Sequence, residues 1–341
     1  MKNFILVNDT STQNNWGCHS TTMHFRNFFV SNGFEEKGTV MLRDLHGNDY
    51  AKKTFDNFKG IDFIAINGEG SLYDLQKKGI NIINYIKMAK AKNAKLKVLL
   101  LNSTFDLKND KLRDMIVKTS HLVDLYGARE KISLQNLNNL GIHNVVLQPD
   151  FLYEKINFSI EKKDYIVIGG NSNYYRPDRP KYDAMGAYDY VIETLKKNYE
   201  IILYSADMSD IKFMDPLSRK HGLKHLSCKS TRWEEGFEIL SRAKMSISGR
   251  YHPSIMALCG ITPCFFISAN NCKMLGTHDY FHSNESSYVH SHKLKESSEK
   301  IFNWVSDDSA KRLYTSETIL GLKKVTENLE EAKSQILGYL K

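Results

Sequence analysis

The sequence predicts an α/β protein with two domains, each built on a mainly parallel sheet. Short β-branched runs alternate with amphipathic segments of helix length along the chain, a pattern typical of βαβ units. The length of 341 residues is enough for two domains of about 150 residues each. We therefore expect two hydrophobic cores with a ligand-binding cleft between them.

In the first half, runs rich in aliphatic residues predict strands, and longer amphipathic segments predict helices. The strands are expected at residues 4–7, 39–42, 63–66, 97–101, 122–126 and 145–147, and the helices at 19–32, 80–93 and 130–140.

The second half repeats this plan after a mixed, charged stretch at residues 149–164. A new strand and Gly-rich turn begin at Tyr165, further strands are expected at 201–204, 245–247 and 264–267, and helices at 189–198, 233–243, 254–259 and 316–339. We predict domains at 1–158 and 159–310, with the segment 311–341 packing on them as a helix.

Composition excludes several classes of protein. No stretch reaches the roughly 18 apolar residues of a membrane helix, and polar residues follow the first apolar run too soon for a signal peptide. Five cysteines without a CxxC pair indicate neither a disulfide framework nor a zinc site. We therefore expect a cytoplasmic location, with at most peripheral contact at the inner face of a membrane.

The net charge of +8 suits anionic ligands. Nucleic acid is not expected as a partner, because no basic stretch interleaves with aromatic residues. There is no DxD motif for a metal ion, and no metal or cofactor is predicted.

Ligands of parallel sheets bind beyond the carboxyl ends of the strands, so the residues after each strand are candidates for a site. After the first strand, Asn15, Gly17 and His19 open a helix whose N–H groups could receive an anion. The alternative is that Ser20 or Thr21 only caps this helix.

After the third strand, Gly68 and Gly70 flank Glu69. The glycines allow close approach of a ligand, and Glu69 is a candidate general base. An ion pair made by Glu69 is an equally good explanation of the carboxylate. After the fifth strand, Arg129 could bind a carboxylate or phosphate with its planar fork, or form a local salt bridge with Glu130.

The most informative stretch runs from residue 246 to 260. An apolar strand ends at Ser248 and Gly249, then Arg250 and His252 follow, and Pro253 lies where a helix begins. An Arg fork, an imidazole and a helix N-terminus together predict a site for a doubly charged oxyanion. Lys273 could add a second cation, and the Gly-rich turn at Gly169 and Gly170 is a further candidate for donor binding.

Taken together, these motifs resemble the polysaccharide pyruvyl transferase family over residues 10–280. The corresponding segments are 15–18, 68–74, 129–133 with Pro149-Asp150, and 248–252 with Ala257, Gly260 and Pro263. Three positions depart from the family pattern: Cys18 and Glu130 replace aspartates, and Glu69 replaces a glycine.

The resemblance implies a GT-B-like fold, with two Rossmann-like domains facing across a cleft. It also implies transfer of pyruvate from phosphoenolpyruvate to hydroxyls of a cell-surface polysaccharide or its precursor, free or lipid-linked. Catalysis would involve His252, Arg250 and Glu69. The donor would contact Arg129, Ser248, Gly249, Lys273, Gly169 and Gly170, and the acceptor Asn15, Gly17, His19, Gly68 and Gly70.

Two other functions remain open at this point. A metal-independent GT-B glycosyltransferase would use Arg250, His252 and the helix dipole to stabilise the leaving phosphate of a nucleotide sugar, with Glu69 as base. A non-catalytic carbohydrate- or nucleotide-binding protein would present the same groups without turnover.

Overall fold

The computed structural model describes residues 2–41, 60–173, 182–281 and 285–341. The chain divides into two compact units. The first unit comprises Met1–Thr12, Thr21–Phe151 and Glu327–Lys341, and the second comprises Gln13–Ser20 and Leu152–Thr326.

Within its described residues, the first unit contains a six-stranded parallel sheet in the order β2-β1-β3-β4-β5-β6. Its strands are β1 (Asn3–Asp9), β2 (Glu35–Met41), β3 (Phe63–Tyr73), β4 (Lys97–Asp106), β5 (Leu125–Ala128) and β6 (Val145–Leu147). Its helices are α1 (Trp16–Ser31, of which the first residues belong to the second unit), α2 (Lys77–Lys92), α3 (Asp110–Thr119) and α4 (Lys131–Asn138).

The second unit contains a six-stranded parallel sheet in the order β12-β11-β10-β7-β8-β9, again within the described residues. Its strands are β7 (Tyr165–Asn171), β8 (Glu200–Ser205), β9 (Lys224–Ser227), β10 (Met245–Gly249), β11 (Cys264–Ile267) and β12 (Tyr288–Val289). Its helices are α5 (Ala184–Leu195), α6 (Met208–His221), α7 (Trp233–Arg242), α8 (Tyr251–Leu258), α9 (Lys273–Phe281), α10 (Ser298–Ser306) and most of α11 (Asp308–Leu340).

Aliphatic strands form the centre of each core. The first core joins Ile5, Ile64 and Val98 of neighbouring strands to Ile82 of α2, and the second joins strand residues such as Ile166 and Ile247 to helix residues in the same way. Burying such side chains stabilises each unit by about 1.5–3 kcal/mol per residue before the entropy cost of folding.

The strand orders determine where a ligand can bind. In the second sheet, the chain starts at β7 and runs outward in both directions, so the order reverses between β7 and β10. In the first sheet, the reversal lies between β1 and β3. Crevices open beyond the carboxyl ends of the strands at such points.

Most predicted elements are confirmed. The segment 122–126 is corrected, because a short 3-10 helix occupies Ser120–Leu122 and β5 begins only at Leu125. The third strand was predicted to end at residue 66 but continues to Tyr73, with a register irregularity after Glu69. The predicted end of the second strand, Leu42, lies outside the described residues.

The division of the chain differs from the predicted boundary between residues 158 and 159. Residues just before that boundary pack on the second unit: the Tyr153 ring lies 6.3 Å from the Phe281 ring, and the Asn157 N–H donates to the Cys259 carbonyl at 2.8 Å. The end of α11 belongs to the first unit, where the Lys97 ammonium donates to the Tyr339 carbonyl at 2.7 Å.

Candidate functional site

The candidate anion site of the second unit lies where β10 ends and α8 begins. Arg250 is the N-cap residue of α8, and Tyr251, His252 and Pro253 form its first turn. The first N–H groups of a helix have no acceptor within the helix, and the helix dipole makes this end positive. The start of α8 therefore lies at the reversal point of the sheet with its positive end toward any ligand there.

Arg250 is bound by a buried carboxylate. Its Nε donates to both Asp210 oxygens at 3.1 and 2.9 Å, and its Nη2 donates to Asp210 at 2.7 Å and to the Ser209 hydroxyl at 2.7 Å. The Asp210 side chain is fully buried and that of Arg250 is 13% exposed. Two of the Arg250 nitrogens are therefore bound to α6, which indicates that this pair positions Arg250, and the predicted catalytic role of Arg250 stays a prediction.

Asp207 lies beside this pair and links it to α1. Burial alone would raise the pKa of Asp207, but the Arg250 charge and hydrogen bonds from Ser209 outweigh burial and hold the pKa below its usual value. Its carboxylate also accepts a hydrogen bond from the Asn15 amide at 2.7 Å. Asn15 in turn accepts from the Cys18 N–H at 3.1 Å, so Asn15, and not Ser20 or Thr21, caps α1.

Gly17 provides the space in which His252 sits. A Cβ atom at residue 17 would lie 2.1 Å from Nδ1 of His252 and 2.5 Å from its Cγ. The imidazole is half-buried, with the Tyr251 ring 5.0 Å away in an edge contact. Gly17, which was predicted to bind the acceptor, thus lies against the predicted catalytic histidine, and its acceptor-binding role stays a prediction.

Three other predicted donor-binding glycines face side chains of the protein itself. A Cβ atom would lie 2.0 Å from the Tyr204 ring at Gly169, 2.3 Å from the Asp210 carboxyl group at Gly170, and 2.2 Å from the Asn171 amide at Gly249. The missing side chains make room for the residues that hold Arg250 and the end of β10, and the predicted donor-binding role of these glycines stays a prediction.

Ser248 also has a structural role. Its fully buried hydroxyl accepts hydrogen bonds from the Tyr204 hydroxyl at 2.7 Å and from the Arg250 N–H at 3.0 Å. These bonds fix the turn between β10 and α8. Lys273 is half-buried at the start of α9, where its N–H donates to the Asn271 side chain at 3.1 Å.

A polar pocket with a volume of about 230 Å³ lies between the start of α1 and the loop after β9. Asn15 and His19 line one side, and Lys229, Arg232 and Trp233 line the other. His19 is exposed, and its ring centroid lies 6.5 Å from that of Trp233. The pocket thus joins two of the predicted acceptor-binding residues to a basic loop.

In the first unit, three adjacent strands each contain a residue with left-handed backbone in their carboxyl-terminal half. Asn8, Glu69 and Asn102, on the adjacent strands β1, β3 and β4, have φ angles of 64°, 46° and 52°. Asparagine tolerates this left-handed region better than other non-glycine residues, so Glu69 is the position where it is most unfavourable. Such strain clusters at functional sites, and Asn8 and Glu69 lie on the two strands between which the order reverses.

Glu69 belongs to a buried polar network at this edge. Its carboxylate accepts hydrogen bonds from the Thr10 hydroxyl at 2.5 Å and the Asn67 amide at 3.1 Å, and Glu69 is 9% exposed. Gly68 and the half-buried Gly70 flank it within β3, and a Cβ at Gly68 would lie 1.8 Å from the Ser103 hydroxyl oxygen.

Arg129 is enclosed within the first unit. Its Nη1 donates to Asp150 at 3.2 Å and its Nη2 to the Thr104 hydroxyl at 2.9 Å, and Arg129 is 2% exposed. The two motif residues Arg129 and Asp150 thus bind each other, at the end of β5 and near the end of β6. These contacts support a structural role for Arg129, and its predicted donor-binding role stays a prediction.

Sequence reasoning missed Asp207 and Asp210. Both follow the carboxyl end of β8, which was predicted, and the alternation of Asp and Ser at residues 205–210 is typical of a helix start. This pattern could have singled them out. Among the residues that the structure describes, no group of three or more His, Cys, Asp or Glu side chains could hold a metal ion.

Comparison with known structures shows the fold. The chain is similar to S. aureus MnaA in complex with UDP (TM-score 0.61, 8% identity, 97% of each chain covered). It is also similar to a UDP-forming trehalose-phosphate synthase from Burkholderia xenovorans (TM-score 0.58, 9% identity, 100% and 99% covered). At these identities the likeness concerns the fold alone, and it confirms the predicted GT-B-like class.

A third similar structure is an alpha-glucosyltransferase in complex with UDP (TM-score 0.50, 12% identity, 100% of each chain covered). No curated protein sequence matches the chain. The family model described as polysaccharide pyruvyl transferase matches residues 22–271, which include Glu69, Arg129, Arg250 and His252. Since this match spans well over half of the chain, the protein belongs to the polysaccharide pyruvyl transferase family.

Proposed function

We propose that the protein transfers a pyruvyl group from phosphoenolpyruvate to two hydroxyls of one sugar in a polysaccharide or its precursor. Family membership makes the chain a transferase that modifies polysaccharide. The observation that carries the finer proposal is the position of His252. Its imidazole lies on the first turn of α8 and packs against Gly17.

Phosphoenolpyruvate presents a carboxylate and a phosphate, so its site needs positive potential from fixed groups. The N-terminus of α8 supplies this potential, since the helix dipole and first-turn N–H groups favour an anion. The Arg250–Asp210 pair holds the N-cap residue in place, which keeps these N–H groups oriented before the ligand arrives.

In the proposed reaction, protonated His252 donates a proton to C3 of phosphoenolpyruvate, and positive charge develops at C2. One sugar hydroxyl forms a bond to C2. The bond from C2 to the phosphate oxygen then breaks, and the second hydroxyl closes a cyclic ketal. The two hydroxyls release two protons: a base accepts the first and gives it up to solvent, from which His252 is protonated again, and the second leaves on inorganic phosphate.

The acceptor requires a base and a polar binding surface. We assign the base to Glu69, whose carboxylate is oriented by Thr10 and Asn67 and lies at the reversal point of the first sheet. We assign sugar binding to His19 and Asn15, which line the polar pocket in the second unit. Both assignments are proposals about this chain's own side chains and require no metal ion.

A second function, glycosyl transfer from a nucleotide sugar, has a specific observation in its favour. Two structures of similar fold, S. aureus MnaA and the alpha-glucosyltransferase, were determined in complex with UDP. In this chain the start of α8 would then stabilise the leaving phosphate, and the pocket beside Trp233 would be available to the rest of the nucleotide.

The two functions differ in the product that leaves the enzyme. The protein is incubated with methyl hexopyranosides bearing free 4- and 6-hydroxyls, with either phosphoenolpyruvate or a UDP-sugar. In pyruvyl transfer, one inorganic phosphate is released for each ketal formed. The methyl group of the ketal gives a new signal in the proton NMR spectrum, from which the amount of ketal is measured. Release of UDP with a UDP-sugar, and no phosphate release from phosphoenolpyruvate, would favour glycosyl transfer and overturn the proposal.

A further inference from the structure

The second unit carries a groove at the edge of its sheet opposite the candidate site. The groove has a volume of about 450 Å³ and is formed by the segments that precede β7, β10 and β11, together with α11. Because the strands are parallel, their amino ends share one edge, whereas His252 follows the carboxyl end of β10. The groove is therefore separate from the proposed catalytic region.

Aliphatic side chains form much of the groove. Ile160, Ile261 and Ile319 line it, and all three are only half-buried. On the same helix as Ile319, Leu313 and Leu320 are 52% and 58% exposed. The helix that lines the groove thus also exposes two leucines outside the groove lining.

The charged residues of the groove are mostly basic. Lys162, Lys163 and Lys244 line it, against the single lining acid Asp164, and Glu161 outside the lining lies 3.6 Å from the Lys163 ammonium. In the ion pair between Lys244 and Asp164, the Asp164 side chain is 84% exposed to solvent. Pairs of this kind contribute little and rearrange readily. The groove therefore presents positive charge around an apolar lining.

Lys162 adds a further indication. Its ammonium donates to the Ser241 carbonyl at 2.9 Å and to the Thr262 hydroxyl at 2.6 Å, although the residue as a whole is exposed. Desolvation lowers the pKa of Lys162 to about 7. An anion beside this group would favour its protonated form, so the groove gains positive charge when it binds one.

We propose that this groove docks the second unit onto a membrane surface rich in anionic phospholipid. A lipid combines the two features that the groove presents, since its acyl chains match the isoleucines and its phosphate matches the lysines. The contact would be peripheral, because no helix in the described part of the chain is long and apolar enough to cross a bilayer. An acidic protein segment is the alternative occupant, and absence of binding to either kind of vesicle would favour it.

Vesicle sedimentation tests this proposal. The full chain is mixed with vesicles of phosphatidylcholine alone, and with vesicles of equal parts phosphatidylcholine and phosphatidylglycerol. We expect binding to the anionic vesicles only, and weaker binding as salt is added. Equal sedimentation with both vesicle types, or with neither, would overturn the proposal.

Variants locate the contact. Each lysine near an anionic surface strengthens binding about fivefold, so Lys163→Glu with Lys244→Glu is expected to lower the partition coefficient by about 30-fold or more. The matched control is Lys197→Glu with Lys295→Glu, which changes net charge equally at exposed lysines outside the groove lining. We expect the control double variant to bind anionic vesicles as the wild type does. An equal loss of vesicle binding in both double variants would contradict the assignment of the groove as the docking surface.

A second variant tests the apolar part of the surface without removing charge. Leu320→Asn replaces a largely exposed side chain, so the fold is expected to be retained, and its melting temperature is checked first. Binding to anionic vesicles should weaken severalfold. Unchanged binding would contradict the apolar contribution, and transfer to a soluble sugar should be unaffected, which separates this proposal from that for the reaction.

Discussion

The contact between Gly17 and His252 gives the sharpest test of the site. A Cβ atom at residue 17 would lie 2.1 Å from the imidazole Nδ1, and ordinary contact begins near 3.4 Å, so the ring in Gly17→Ala must move by about 1 Å. A displacement of about 1 Å at a catalytic group can lower the rate by about 100-fold. We therefore expect kcat to fall about 100-fold in this variant.

The fold should tolerate the same substitution. Gly17 lies within α1, where alanine is favoured over glycine by about 1 kcal/mol, and the atoms it meets belong to one side chain. The matched control is Gly338→Ala in α11, where a Cβ meets nothing within 4 Å, and its activity should be that of the wild type.

Steady-state kinetics and thermal melting check this prediction together. In a His252→Asn background, Gly17→Ala should lower kcat little further, because both substitutions act through the same imidazole. Full activity in Gly17→Ala, or an effect that adds fully to that of His252→Asn, would refute the reasoning.

Three further predictions concern other residues. Arg129→Ala should destabilise the protein by about 3–5 kcal/mol in urea unfolding, because it leaves Asp150 as a buried charge without its cation. Loss of donor affinity at unchanged stability would contradict this and support the predicted donor-binding role of Arg129. Glu69→Gln should keep the melting temperature and lower kcat by about 100-fold or more, and unchanged kcat would exclude Glu69 as the base. Burial lowers the pKa of Lys162 to about 7, so above that pH the unfolded state binds more protons than the folded state and stability rises with pH. The melting temperature of the wild type minus that of Lys162→Met should therefore increase between pH 7 and pH 10. A difference that stays constant over this pH range would contradict the prediction.

The sequence predicts the elements with strong local patterns. β1, β7 and β10 are apolar runs, and α7 keeps its apolar residues on one face, so their positions follow from periodicity. β9 and β12 were missed because they are short edge strands of four and two residues with no clear alternation. β3 extends past Ile66 because buried polar residues continue it, and hydrophobicity gives no sign of them.

The site was predicted in part. A strand followed by Arg250, His252 and Pro253 predicts the start of α8, and the structure confirms it. The partners of these residues could not be predicted, because Asp210 and Gly17 reach them only through the tertiary fold. Arg129 and Asp150 illustrate the same limit: their positions matched the family motif, but the motif does not indicate that they bind each other.

A crystal structure with phosphoenolpyruvate bound tests the central claim most directly. If the start of α8 holds the donor, oxygens of its phosphate or carboxylate will lie about 3 Å from the Tyr251 or His252 N–H groups, with the His252 ring beside C3. Phosphoenolpyruvate bound at another place on the protein, with the start of α8 occupied only by water, would contradict the account.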